Sequence, residues 1–182
     1  MTKNKEVRKT CIGKAKFCYI SEPDEQFDPK GVYHVSVEFT KAEAEREIKA
    51  IKEVIAEKVA EVCKAKPGAK DIKRTPLPYK EEDGKIVMKF KSKFKPKIFD
   101  GNGKPLDPSI SVYKDSTMRV MYKLNSYDQT IGLGCSLYLL AVQVANLVKG
   151  TPVGECPFPT INLDGNSDGN KSMLPGPEEA PI

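Results

Sequence analysis

The sequence predicts a mainly-β domain: a small barrel of about five strands crossed by one long helix, with a flexible acidic tail behind it. Three observations carry that expectation. Short segments place apolar residues at every second position, one long segment repeats them every three or four, and all periodicity stops after Gly150. The expected organisation is a binding or structural domain over residues 1–150 and a tail over 151–182.

Residues 1–10 are polar and expected to fray. CIGKAKFCY, residues 11–19, reads as a strand with Ala15, Phe17 and Tyr19 on one face and Lys14 and Lys16 on the other. SEPDEQFDPKG is turn chemistry. VYHVSVEF then alternates cleanly, with Tyr33, Val35, Val37 and Phe39 inward and His34, Ser36 and Glu38 outward. Thr40 opens a capping box, in which Glu43 reaches back to the Thr40 amide. The helix that follows carries Ala44, Ile48, Ile51, Ile55, Val59 and Val62 as one apolar stripe, and Pro67-Gly68 ends it.

Residues 69–84, ending in EEDG, read as a connecting loop. IVMKFKSKFKPKIF forms the next strand, and Asp100-Gly101-Asn102-Gly103 makes a tight turn. STMRVMYK alternates Met118, Val120 and Tyr122 against Arg119, Met121 and Lys123. A short loop containing Tyr127 leads to IGLGCSLYLLAVQVANLV, a long apolar strand whose Gly132 and Gly134 permit a bend. The last 32 residues are dense in Pro, Gly, Asn, Ser and Asp and read as a mobile tail.

Charge is distributed unevenly along the 182 residues, whose net charge is +5. Residues 1–150 hold 29 Lys and Arg against 20 Asp and Glu, whereas the tail holds Lys171 against Glu155, Asp164, Asp168, Glu178 and Glu179. A basic body with an acidic tail points to a polyanion partner. No apolar run is long enough to span a bilayer, and the N-terminus lacks the apolar core of a secretory signal, so the cytoplasm is the expected location. Five cysteines, at 11, 18, 63, 135 and 156, make neither a zinc motif nor a disulfide framework.

No catalytic residue, metal or cofactor is expected. The single histidine, His34, has no nucleophile motif near it. Asp100, Asp107, Asp115 and Asp128 lie in apparent turns, where Asp is common, and no phosphate-binding GxxxxGK[ST] loop exists.

The most informative segment is Met88 to Lys97. Lys89, Lys91, Lys93, Lys95 and Lys97 occupy alternate positions, so an unbroken strand projects all five from one face, about 6.7 Å apart, with Met88, Phe90 and Phe94 on the other. Such a row of like charges is costly unless a polyanion lies across it. A lysine-guarded edge strand is the structural alternative, but that device needs only one or two. Aromatic residues add a second signal: Tyr113 and Tyr127 stand near Lys114, Arg119 and Lys123, as rings for base stacking beside a cationic groove do. Lys89, Lys91, Lys93, Lys95, Lys97, Tyr113, Arg119, Lys123 and Tyr127 are therefore the expected DNA contacts.

The succession KFKSKFK, IFDGNGKPLD, DSTMRVMYKLNSY and GLGCSLYLLAVQVANLV, from Lys89 to Leu147, resembles the single-stranded DNA-binding proteins of bacteriophages, the helix-destabilising proteins of short-tailed phages and their relatives. Tyr127 a few residues before Gly132-x-Gly134 and a last strand ending in AVQV belong to that likeness, which covers about a third of the chain. The resemblance implies an OB fold, coating of single strands during replication, recombination or repair in the host cytoplasm, and a tail that contacts replication proteins through Glu178, Glu179 and Ile182. It leaves the state as monomer or homodimer, with no membrane partner. The chain departs from the family pattern in two places: the helix follows the second strand rather than the third, and the tail lacks a dense acidic end. The competing functions are an interaction or phage structural module with a basic face, and a metal-dependent nuclease; RNA binding is a milder variant.

Overall fold

The computed structural model describes residues 6–26, 28–65 and 72–148. The elements are β1 (Val7–Lys9), β2 (Gly13–Asp24), β3 (Val32–Phe39), α1 (Lys41–Ala65), β4 (Tyr79–Glu82), β5 (Lys85–Ser92), β6 (Lys97–Phe99), β7 (Thr117–Gln129) and β8 (Gly132–Asn146). Five of the strands close a ring in the order β2, β3, β5, β8, β7 and back to β2. All pairings in the ring are antiparallel except β5 with β8. This is a small barrel of the OB type, and closing the ring leaves no bare sheet edge within it.

The core follows the predicted alternation. Val35 and Val37 of β3, Met88 and Phe90 of β5, Val120 and Tyr122 of β7, and Leu137 and Leu139 of β8 are buried together inside the ring. Phe90 meets Tyr122 edge to face, with ring centroids 5.1 Å apart, a favoured geometry for aromatic pairs.

Helix α1 packs against β5, β7 and β8. Its N-terminus is closed by the expected box: the Thr40 amide donates to Glu43 Oε2 at 2.9 Å, and the Glu43 amide donates to Thr40 Oγ1 at 3.3 Å. Hydrogen bonds from the Thr40 backbone and then its hydroxyl hold the Glu43 carboxyl below its ordinary range. Thr40→Ala should therefore cost about 1 kcal/mol of stability, measured by urea denaturation, with no change in secondary-structure content.

The buried side of α1 differs from the predicted stripe. Ala44, Glu47, Ala50, Ile51 and Val54 are buried, Ile48 and Ile55 only partly, and Val59 and Val62 are half-exposed. The anomaly is Glu47, an acid on the core side. Its carboxylate accepts from Arg8 Nε at 3.2 Å and from the buried Tyr122 hydroxyl. Burial first, then the neighbouring Glu47 carboxylate, drives the Tyr122 hydroxyl far above its usual pKa, so it remains a donor.

That cluster explains why residues 7–9 are not frayed. Arg8 is the middle residue of β1, which pairs with β7 through Val7 opposite Lys123 and Lys9 opposite Met121. Three strands thus precede the helix, but β1 lies outside the ring, so α1 does follow the second ring strand, as the sequence indicated. A second correction concerns residues 69–84. Their EEDG end is a hairpin: Asp83 and Gly84 both take positive φ, 50° and 75°, as a tight two-residue turn requires, and β4 pairs with β5 across it.

The lysine segment is broken after Ser92. The Phe94 amide donates to Ser92 Oγ at 3.0 Å in a bend, and Pro96, which has no N–H to offer a ladder, precedes β6. Phe94 is 74% exposed rather than core-facing. Lys89 and Lys91 project from β5, Lys93 and Lys95 stand in the bend, and Lys97 opens β6 opposite Ala141 of β8.

Candidate nucleic-acid interface

Strand β2 decides what faces outward. A register shift between Ala15 and Phe17 places one extra residue opposite β3, and a bulge of this kind reverses which side chains face the core beyond it. Ala15 is buried before the bulge and Ile20 after it, which turns Phe17 and Tyr19 outward at 57% and 44% exposure. The simple alternation had placed both rings beside Ala15. The missed signal was Ile20, an apolar residue out of phase with the preceding ones.

Outward Phe17 and Tyr19 fall directly in line with the lysines of β5. Phe17 lies opposite Ser36, which lies opposite Lys89; Tyr19 lies opposite His34, which lies opposite Lys91. Paired positions share a face of the sheet. The second row continues around the barrel from Lys91 to Tyr138 of β8 and Lys123 of β7. The row therefore runs Tyr19, His34, Lys91, Tyr138 and Lys123 across five strands.

Lys89 and Lys91 separate two recesses on this face. One contains Phe17, Tyr19 and His34, with Asp24 and Asp28 at its side. The other contains Tyr127 and Ser136 under an arm formed by Pro76, Leu77 and Pro78. The arm is anchored by the Thr75 amide, which donates to the Leu133 carbonyl at 2.9 Å, and by Thr75 Oγ1, 2.9 Å from the Tyr127 hydroxyl. Gly134 makes this possible, since a Cβ there would sit 1.9 Å from Thr75 Oγ1. Tyr127 belongs to β7 rather than to a loop, because β7 and β8 run on as one long hairpin with Tyr127 opposite Gly134.

Electrostatics differ along the face. Toward the β4 end, Glu38 pairs with Lys85 and Lys16, and Glu82 pairs with Lys16, so the charges cancel. Among the described residues Lys89 and Lys91 have no ion-pair partner. The nearby acid Asp24 is engaged: His34 Nε2 lies 3.0 Å from its Oδ2. The bond to His34, then the Gln26 amide, with a smaller contribution from Lys89, holds the Asp24 carboxyl below its ordinary range. His34 itself is only 8% exposed and lies under the Tyr19 ring, centroids 4.8 Å apart.

The remaining expected contacts lie elsewhere. Arg119 lines a separate cleft over β1, β6, β7 and β8, and Lys97 stands opposite Ala141 of its floor. Tyr113 is exposed in the segment before β7 and lines neither recess. Glu178, Glu179 and Ile182 lie outside the described residues, as do Pro67, Gly68 and Cys156.

No three His, Cys, Asp or Glu side chains among the described residues are grouped to hold a metal ion. Burial pushes the Cys135 thiol up to about 11 and the Cys18 thiol up to about 12, which leaves both protonated and poorly nucleophilic at neutral pH. No described helix is long and apolar enough to cross a membrane.

The fold and the face define an OB-type barrel carrying a groove of aromatic rings and unpaired lysines. Solved structures share that fold, and they are single-stranded DNA-binding proteins of bacteriophages. The chain is similar to the crystal structure of gp2.5, a single-stranded DNA-binding protein encoded by bacteriophage T7, with a TM-score of 0.70 and 22% identity over 85% of this chain and 99% of that one. It is also similar to the single-stranded DNA-binding protein from bacteriophage Enc34 in complex with ssDNA, with a TM-score of 0.57 and 17% identity over 85% and 96% of the two chains. A C-terminal truncation of the Enc34 protein aligns with a TM-score of 0.59 and 15% identity, over 83% and 94%. No protein-family model matches the chain, and no curated protein matches it.

Proposed function

We propose that the protein binds single-stranded DNA, with little sequence preference and without catalysing a reaction, along the outward face of β2, β3, β5, β8 and β7. The observation that carries this reading is the register of Phe17 with Lys89 and of Tyr19 with Lys91. Rings that stack on any base, next to cations that neutralise phosphates, bind single strands irrespective of sequence. A duplex keeps its bases paired and stacked inside and offers the rings nothing. Single-stranded DNA is the partner named for the Enc34 complex, whose fold this chain shares.

On this reading residues 1–150 form the binding domain and 151–182, outside the described residues, an acidic tail. The biological setting is replication, recombination or repair of phage DNA in the host cytoplasm, with Glu178, Glu179 and Ile182 presented to partner proteins, from a monomer or homodimer.

The test is a titration of fluorescent oligothymidine and of blunt duplex at several salt concentrations. Single strands should bind more tightly than duplex. Lys89→Ala with Lys91→Ala should make the log–log salt slope for the single strand shallower by about 1.4, at about 0.7 per lost phosphate contact. Equal binding to duplex, or an unchanged slope, contradicts the groove as drawn.

A further inference from the structure

A second cationic surface lies farther along the β7–β8 hairpin. Its rows follow from the pairing: Lys97, Ala141, Met121 and Lys9 stand opposite one another across β6, β8, β7 and β1, and Phe99, Gln143 and Arg119 form the next row. Together Lys9, Phe99, Arg119, Met121, Ala141 and Gln143 line an open cleft with a largely apolar floor. Lys9 and Arg119 line it and Lys97 stands opposite Ala141 of its floor; all three are exposed, and none has an ion-pair partner among the described residues.

Arg119 is held in place by a neutral group. Its Nε donates to Gln143 Oε1 at 2.7 Å, while Gln143 Nε2 donates to the carbonyls of Asp100 and Gly101, both at 3.1 Å. A glutamine orients the guanidinium without cancelling its charge, leaving the other N–H groups to bind an anion. Asp100, whose carbonyl meets Gln143, uses its carboxylate within its own turn, where Oδ1 accepts from the amides of Asn102 and Lys104. One positioned arginine and two exposed lysines around an apolar floor, none with an ion-pair partner among the described residues, match a flexible polyanion that also carries flat apolar groups.

The position of the cleft selects which polyanion. Lys123 ends the ring-and-lysine row of the groove, and Met121, two residues along β7, begins the cleft. Two residues of strand span about 6.7 Å, so the two surfaces are continuous. We propose that a single strand filling the groove runs on past Lys123 into this cleft, where Lys9, Lys97 and Arg119 bind its phosphates and Phe99 packs against a base. This rests on the groove reading and extends it: the footprint is longer than the five-strand face.

Oligothymidines of two lengths separate the extension from the groove itself, one of about 5 nucleotides and one of about 20, bracketing the usual site sizes of one OB fold. Each is titrated by fluorescence anisotropy over a salt series against the wild-type protein, Lys89→Ala/Lys91→Ala, and Lys9→Ala/Lys97→Ala/Arg119→Ala. The cleft variant should bind the short oligomer as the wild type does. With the long one its salt slope should be shallower by about 2, from three lost contacts at about 0.7 each, and its affinity at low salt at least tenfold lower. All three residues are exposed, and an unchanged thermal melt confirms that the variant is folded.

If the cleft variant binds both lengths normally while the groove variant is weakened on both, the cleft is off the path and the groove reading stands. If the cleft variant loses the short oligomer equally, the cleft is the primary site and the extension is wrong. If neither variant loses affinity, the groove reading fails with it.

Discussion

A protein carrying Phe17→Ala and Tyr19→Ala is expected to bind single-stranded DNA on the order of a hundredfold more weakly, because each ring that stacks on a base is worth about 1–3 kcal/mol. The loss should exceed that of the Lys89 and Lys91 double variant at moderate salt, since screening weakens the phosphate contacts and leaves stacking intact. The salt slope should stay nearly that of the wild type, which distinguishes loss of rings from loss of charge. Both rings are largely exposed, so the variant should melt close to the wild-type temperature. An affinity within a factor of about three of the wild type would mean that the rings are not platforms, since a single stacking contact is worth more than that.

Arg8→Ala should produce the largest stability loss, about 3 kcal/mol, because removing one partner of a buried ion pair leaves the other charge uncompensated. Glu47 is buried on the core side of α1, and without Arg8 only the Tyr122 hydroxyl remains to it. Glu47→Leu introduced into the Arg8→Ala background should restore most of the loss, since an apolar replacement for a buried charge is often neutral or stabilising. Urea denaturation of the two single variants and the double variant gives the coupling directly. A loss below about 1 kcal/mol for Arg8→Ala would place the pair in the range of surface salt bridges.

The barrel was legible in the sequence where period and burial agree. β3 reads inward at Val35 and Val37, and both are fully buried; His34 and Ser36 share the outward register of Tyr19 and Phe17 but are themselves covered. The capping box at Thr40 and the turn at Asp100 were equally local, settled by residues within four positions of one another. Long-range contacts were less legible. Arg8 belongs to a strand because Glu47 and Tyr122 draw it in, and nothing in MTKNKEVRK announces a partner 39 residues away.

The groove was half legible for a similar reason. Lys89 and Lys91 follow from alternation alone, whereas Phe17 and Tyr19 depend on a bulge that shifts the phase of β2 midway. A five-lysine period looked like one strand because the sequence continues it through Lys93 and Lys95, although Ser92 and Pro96 already carried the chemistry of a break. Asp83-Gly84 is the opposite case: the letters carry the hairpin signal, but β4 before it is only four residues, YKEE, with no apolar alternation to mark it as a strand.

Closure of the ring has a consequence for how the chain reaches its active form. α1 and the β4–β5 and β7–β8 hairpins join neighbours in sequence and can form early, but β2 meets β7 only at Gly13 with Met118 and Lys14 with Thr117, roughly a hundred residues apart, an entropically late event in folding. The ring-and-lysine row is joined through β2–β3, β3–β5, β5–β8 and β8–β7, so it can come into register before that last seam is sewn. A chain with an open seam already holds rings and lysines in line on a sheet not yet closed into a barrel, and gain of tight single-strand binding during refolding is a kinetic readout of the β5–β8 pairing that joins the two halves of the row.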